Sequence, residues 1–250
     1  MSVAWEARLS DRALLSAWDS GTGRRPAQRA LCMLAQVAPP EEREELGDWT
    51  VGQRDARLLD LYAATFGERV EGMIPCPACG ETLEVAFGVG AVRVPHDESG
   101  TEHRFEDATR DYKVVFRVPT SADLVAATVP DDPVAARALV IRRCVVRAEH
   151  RGTAVTTATL PEEVILELGA RMAAADSQAA LQLSLVCPTC GEASRATFDV
   201  ADFVWRELEG RAHQLLRQIA SLAAAFGWDE GNILSLSRAR RQLYLDMVGA

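Results

Sequence analysis

The stretch IPCPACGETLEVAF, residues 74–87, returns as LVCPTCGEASRATF at residues 185–198. With Cys76 set against Cys187, the copies also pair Pro77 with Pro188, Cys79 with Cys190, Gly80 with Gly191, Glu81 with Glu192 and Phe87 with Phe198, and just beyond them Val89 with Val200. Two thiolates separated by two residues can grip one face of a tetrahedral ion, and a glycine just past the second lets the backbone turn its N–H groups toward sulfur. Two such turns complete a shell of four thiolates with no open position, which is the pattern of a structural rather than a catalytic metal. The expected cofactor is therefore one structural Zn2+ per chain, held by Cys76, Cys79, Cys187 and Cys190.

The residues beside each pair change from helical to alternating periodicity. Leu83, Val85, Phe87 and Val89 share one face after the first pair, Leu181, Leu183 and Leu185 alternate before the second, and Ala196, Phe198 and Val200 after it. Each cysteine turn thus belongs to a β-hairpin. The intervening stretch 80–186 far exceeds the roughly 15 to 20 residues that separate the pairs of a compact ribbon. The expected fold class is α+β: a split four-cysteine zinc ribbon formed by two distant hairpins, with flanking helices and a long C-terminal amphipathic helix. A redox reading of each Cys-x-x-Cys fits less well, since a redox dithiol opens a helix and strands follow both pairs here. His96 and His103 are the substitute ligands considered, and a solvated loop is the simpler place for each.

Outward from the hairpins, apolar positions recur at helical spacing through residues 1–70, in DRALLSAWD, PAQRALCMLAQV and QRDARLLDLYAATFG. Leu58, Leu59, Tyr62 and Phe66 form one core-facing stripe that Gly67 ends. The expected organisation is a helical segment 1–70, a first hairpin 71–92, an inserted α/β segment 93–180, a second hairpin 181–200 and a helical segment 201–250. Within the insert, residues 94–111 read as an exposed charged loop, DYKVVFRV as a strand, PTSADLVAA as a helix capped by Ser121, and DPVAARALVIRRCVV as a helix passing into a strand. Residues 200–226 carry a long amphipathic stripe stopped by Gly227, and ILSLSRARRQLYLDMV closes the chain as a single short helix.

Composition excludes several functions. The share of hydrophobic residues is 48%, and no apolar run approaches the roughly 20 residues of a membrane span. Glu6, Arg8 and Asp11 stand where a secretory signal would be apolar, so the expected location is the cytoplasm. Six cysteines there point to metal or core positions rather than disulfides, and Cys32 and Cys144 lie in apolar runs as small core residues. A formal charge of −9 argues against a general affinity for nucleic acid or anionic lipid. No nucleophile elbow, Walker loop or dinucleotide glycine pattern occurs, and the neighbouring carboxylates at 96–98 and 131–132 sit in loop-like text. The expectation is a protein that is not an enzyme. A zinc-ribbon nucleic-acid-binding regulator is the alternative, with SRARRQ near the C-terminus as its one dense basic stretch.

Three longer passages carry a resemblance: VGQRDARLLDLYAATFGERVEGMIPCPACGETLEV, FRVPTSADLVAA, and the run from LVCPTCGEASRATFDV through AFGWDEGNILSLSRARRQLYLDMV. Together they resemble baseplate-associated proteins of contractile injection systems, which are phage-tail-like particles, and are similar to the baseplate hub assembly chaperones of T-even-type phages. The resemblance implies a structural or assembly role in the baseplate, with other baseplate or hub proteins as partners and no reaction. By position, the four cysteines match the two cysteine turns of that family. Phe226, Trp228, Ile233, Leu236, Arg240, Arg241, Tyr244 and Leu245 match its C-terminal signature and are the candidate partner-binding residues, since aromatic and aliphatic anchors dominate interfaces.

Overall fold

The computed structural model describes residues 8–94, 102–127 and 132–249. The main core is helical. Ser10 opens α1 (Asp11–Gly21) by accepting the Ala13 N–H, and Pro26 occupies the first turn of α2 (Pro26–Ala35), where its missing N–H costs nothing. Thr50 and Gln53 form a capping box at the start of α3 (Val51–Phe66), and Gly67 ends that helix at φ 110°. The 27-residue α7 (Val200–Phe226) starts under an Asp199 cap and ends at left-handed Gly227. Val204, Leu208, Ala212, Leu215, Ile219 and Leu222 repeat on it at three and four spacing and are all buried against the other helices. Trp205 packs beside Gly21, where an added Cβ would lie 2.4 Å from its ring, so α1 and α7 meet this closely only because Gly21 has no side chain.

The chain closes with two helices, α8 (Glu230–Ser235) and α9 (Arg238–Val248), where one was expected. Leu236 is extended and the Ser237 hydroxyl accepts the Arg240 N–H, which starts a new helix in the middle of an apolar-periodic run.

A second core lies under an antiparallel sheet in the order β3 (His103–Asp107), β4 (Tyr112–Phe116), β5 (Val145–His150), β6 (Thr153–Ala154). Phe105, Val114 and Phe116 pack there against Ile141 of α5 (Pro133–Cys144) and Val164 and Leu168 of α6 (Glu162–Ala175). β3 overturns part of the loop expected at 94–111: Phe105 alone turns inward, and one apolar residue among charges gives no visible alternation. The short α4 (Ser121–Ala126) is capped by Thr120, in a box with Asp123, and Ser121 is buried behind it, so the cap lies one residue earlier than expected.

Two hairpins complete the fold: β1 (Arg69–Pro75) with β2 (Thr82–Gly88), and β7 (Gln182–Val186) with β8 (Ala193–Thr197). Both are antiparallel, so helices and small antiparallel sheets together make an α+β architecture. Hydrogen bonds tie the two cores. The Gly52 N–H donates to Asp176 at 2.8 Å, where a Cβ would collide with the carboxylate, and Val94 N–H donates to Gln178 Oε1 at 2.7 Å.

Candidate metal centre

The two hairpins bring their turns together. The Sγ atoms of Cys76, Cys79, Cys187 and Cys190 all lie within 4.8 Å of one another. Cys76 pairs with Cys190 at 3.8 Å and Cys79 with Cys187 at 3.7 Å. These separations are far beyond a disulfide bond of about 2.05 Å. They equal the edge of a tetrahedron whose centre lies about 2.3 Å from each corner, the zinc–sulfur bond length. The first cysteine of each turn meets the second of the other, as expected when two copies of one turn face each other across an approximate two-fold axis.

Each turn is built the same way. Cys76 N–H donates to Glu81 O at 2.8 Å and Gly80 N–H to Cys76 O at 2.9 Å; in the second copy Cys187 N–H donates to Glu192 O and Gly191 N–H to Cys187 O, both at 2.9 Å. Gly80 and Gly191 hold φ at 75° and 76°, a region that favours glycine over residues with a Cβ. Cys76 and Cys187 are buried with Leu83 in a small apolar cluster, and Cys79 and Cys190 face outward. The first cysteine of each turn is therefore fixed by packing and the second by the glycine.

The donor set calls for a cation. Backbone N–H groups of Cys190 and Thr189 aim at the Cys187 sulfur and hold its thiol down at about 7. The Glu81 N–H acts in the same sense on Cys79, but the neighbouring Cys190, Cys76 and Cys187 sulfurs outweigh it and push that thiol up to about 12. Once one sulfur is ionised, the others resist, so four thiolates at these separations need positive charge at their centre. The set is compatible with a soft divalent ion such as zinc: all four candidate ligands are sulfur, they lie within 4.8 Å of one another, and N–H donors stand behind the sulfurs.

The remaining candidates are dispersed. His96 lies outside the described residues. His103 is in β3, stacked on Phe116 at 5.4 Å and apart from the four-cysteine group. His150 stacks on Tyr112 at 4.4 Å and His213 meets Trp18 edge-on. Asp132 caps α5, while residues 96–98 and Asp131 lie outside the described residues. Cys32 is half-buried, and Cys144 is fully buried with its thiol pushed up to about 12 by burial and by Asp123, which suits a core residue.

The C-terminal group divides in two. Ile233, Arg241 and Leu245 are buried in the main core and hold the chain's own helices together. Phe226, Trp228 and Tyr244 form an aromatic triad, with ring centroids 4.7, 4.9 and 5.7 Å apart, and Phe226 is partly open to solvent. Leu236 is half-buried and Arg240 exposed, and near them on α9 Leu243 and Met247 stand out at 59% and 73% exposure. The basic stretch is mostly consumed internally: Arg241 and Arg238 both pair with Asp11 at the start of α1.

One buried pair left no clear mark in the sequence. Arg54 and Asp55 form an ion pair on α3 in which both side chains are buried. Their position one turn before the stripe of Leu58, Leu59 and Tyr62, on a face already apolar at Val51, is the signal that could have revealed them.

A protein-family model described as T4 bacteriophage base plate protein matches residues 27–205, more than two thirds of the chain, including both cysteine turns. The match stops in the second turn of α7 and leaves most of that helix, α8 and α9 outside. No curated protein and no solved structure gives a match. No helix among the described residues is long and apolar enough to cross a membrane.

Proposed function

The chain belongs to the T4 bacteriophage base plate protein family, and from that membership we propose a non-enzymatic structural or assembly protein of the baseplate of a phage-tail-like contractile injection system. On this reading it works in the cytoplasm of the producing cell through contacts with other baseplate or hub proteins, and one structural zinc ion holds its two hairpins together. The family match is the observation that carries the baseplate role. The four-sulfur cluster supports the zinc.

Cys76, Cys79, Cys187 and Cys190 would hold the ion, and its chemistry there is cross-linking. A closed four-thiolate shell leaves no site for substrate, and the energy of binding passes into the fold because neither hairpin supplies four ligands alone. The flanking strands carry that constraint onward: Val70, Val89 and Val200 anchor the hairpins in the main core. A protein that must present fixed surfaces to several neighbours gains from such a tie between segments remote in sequence. The organisation read from the sequence, two hairpins at 71–92 and 181–200 around an inserted segment 93–180, belongs to this proposal.

The exposed apolar residues of α9 beside the aromatic triad are the candidate partner surface, with Phe226, Trp228, Leu236, Arg240 and Tyr244 as its members. The nucleic-acid alternative loses most of its footing, because Arg238 and Arg241 are already paired with Asp11. Deleting the gene in a producing cell and imaging the particles tests the role. Particles lacking baseplates, or a strong loss of sheathed particles, are expected; a normal yield of contractile particles would contradict the proposal.

A further inference from the structure

The four sulfurs are of two kinds. Cys76 and Cys187 are buried with Leu83 and Leu185 around them, whereas Cys79 and Cys190 are exposed. Each hairpin therefore offers one sulfur to solvent and hides the other. Contacts run across the hairpins: exposed Cys79 meets buried Cys187 at 3.7 Å, and exposed Cys190 meets buried Cys76 at 3.8 Å. Cys32 and Cys144 stand outside this group.

A coordinated thiol is deprotonated outright, so in a loaded site access, and not acidity, separates the sulfurs. An accessible thiolate with a second sulfur beside it is the arrangement that a peroxide oxidises and the neighbour resolves. We infer that Cys79 and Cys190 are oxidation sites for peroxides, and that Cys187 and Cys76 resolve them into two disulfides between the hairpins, Cys79–Cys187 and Cys76–Cys190. In the first step the Cys79 thiolate attacks a peroxide oxygen: an S–O bond forms, the O–O bond breaks and hydroxide leaves. The Cys187 thiolate then attacks that sulfur, forming the S–S bond, and a second hydroxide leaves. Two thiolates have given up two electrons, and one peroxide has taken them. Cys190 and Cys76 react in the same way. The sulfurs then lack the charge that would hold a cation, and bound metal is released. The hairpins stay joined nonetheless, by bridges between residues 108 and 114 positions apart. The loaded starting state rests on the zinc proposed above, whereas the pairing rests on the sulfur contacts alone.

The test treats the full-length protein, as purified, with hydrogen peroxide. A chromophoric chelator reads released metal, and mass spectrometry of a non-reduced digest maps the disulfides. Metal release in step with Cys79–Cys187 and Cys76–Cys190 is expected, with dimedone trapping sulfenic acid at Cys79 and Cys190 before the buried pair. The oxidised chain should also unfold at higher urea than the reduced, metal-free chain, because its bridges close long loops. In Cys79→Ser only Cys76–Cys190 should form. Bridges within a turn, Cys76–Cys79 or Cys187–Cys190, would overturn the inference, as would first trapping at the buried sulfurs, no gain against urea, or thiols that peroxide leaves intact. Metal content before oxidation decides the zinc reading separately, and protein that proves metal-free must still form the same two bridges.

Discussion

Phe87 and Phe198, which hold the same position in the two copies of the repeated phrase, meet edge to face with ring centroids 5.5 Å apart and planes at 85°. The sulfurs at the far end of the hairpins pair crosswise in the same symmetric manner, so the hairpins are joined at both ends, by sulfur at the tips and by aromatic rings where the strands enter the main core. Each half-buried ring should cost about 2 kcal/mol when truncated to alanine, below the range of about 3 to 5 kcal/mol for a fully buried phenylalanine. A double-mutant cycle of Phe87→Ala and Phe198→Ala, read by urea unfolding, is expected to show a coupling of about 1 kcal/mol. Additive effects would mean that the rings do not support one another.

Gly80 and Gly191 should respond alike to alanine. Nothing lies within 4 Å of a Cβ built at either position, so the cost is backbone strain and not collision. Left-handed backbone at a residue with a Cβ costs about 1 to 2 kcal/mol. Gly80→Ala and Gly191→Ala are each expected to weaken metal retention about tenfold in a chelator competition, with matching effects. A much larger loss at one of them would show that the turns are not equivalent.

Arg241 is 1% exposed and the half-buried Asp11 is its counter-charge, which locks the start of α1 to α9. Removing the acid strands a cation in the core, whereas replacing the cation with an apolar chain of similar length does not. Asp11→Ala should cost about 3 kcal/mol and Arg241→Met less. Chemical denaturation of the two variants gives the order, and the opposite order would mean that the pair does not act as a buried ion pair.

Two aspartates should titrate in opposite senses. Burial raises the Asp55 carboxyl to about 6, despite Arg54 and with help from Asp199 and Asp176. The folded chain therefore holds that proton more tightly than the unfolded chain, and the stability it confers is full below the ordinary carboxylate range and lost as pH rises through about 6. For Asp123 burial acts in the raising direction too, but hydrogen bonds from Arg117 and Thr120 outweigh it and hold the carboxyl well below its ordinary value. Its contribution is present at neutral pH and lost only in strong acid. Carboxyl carbon NMR should find Asp55 titrating near pH 6, and Asp55→Asn should flatten the dependence of the urea midpoint on pH between about 4 and 6. An unshifted Asp55 would contradict the burial of its charge.

The repeated cysteine phrase and the helical stripes were legible because each is dictated locally: a metal turn needs its Cys-x-x-Cys-Gly, and a long helix must repeat its apolar face. Strand β1 shows no alternation of its own, because Val70 is its only fully buried residue and Gly72 and the charges of Arg69 and Glu71 hide it, and it is expected only as the partner that a first hairpin requires. Strand β3 escaped for the same reason at Phe105. The break between α8 and α9 depends on one hydroxyl at Ser237, and the cap of α4 on which of two adjacent hydroxyls faces solvent. Neither choice is visible without the packing around it.

X-ray absorption at the zinc edge, on protein purified without added metal, tests the central claim most directly. One zinc per chain in a shell of four sulfurs at about 2.3 Å is the predicted result. Metal-free protein that keeps its native circular dichroism while all four thiols react freely would contradict it.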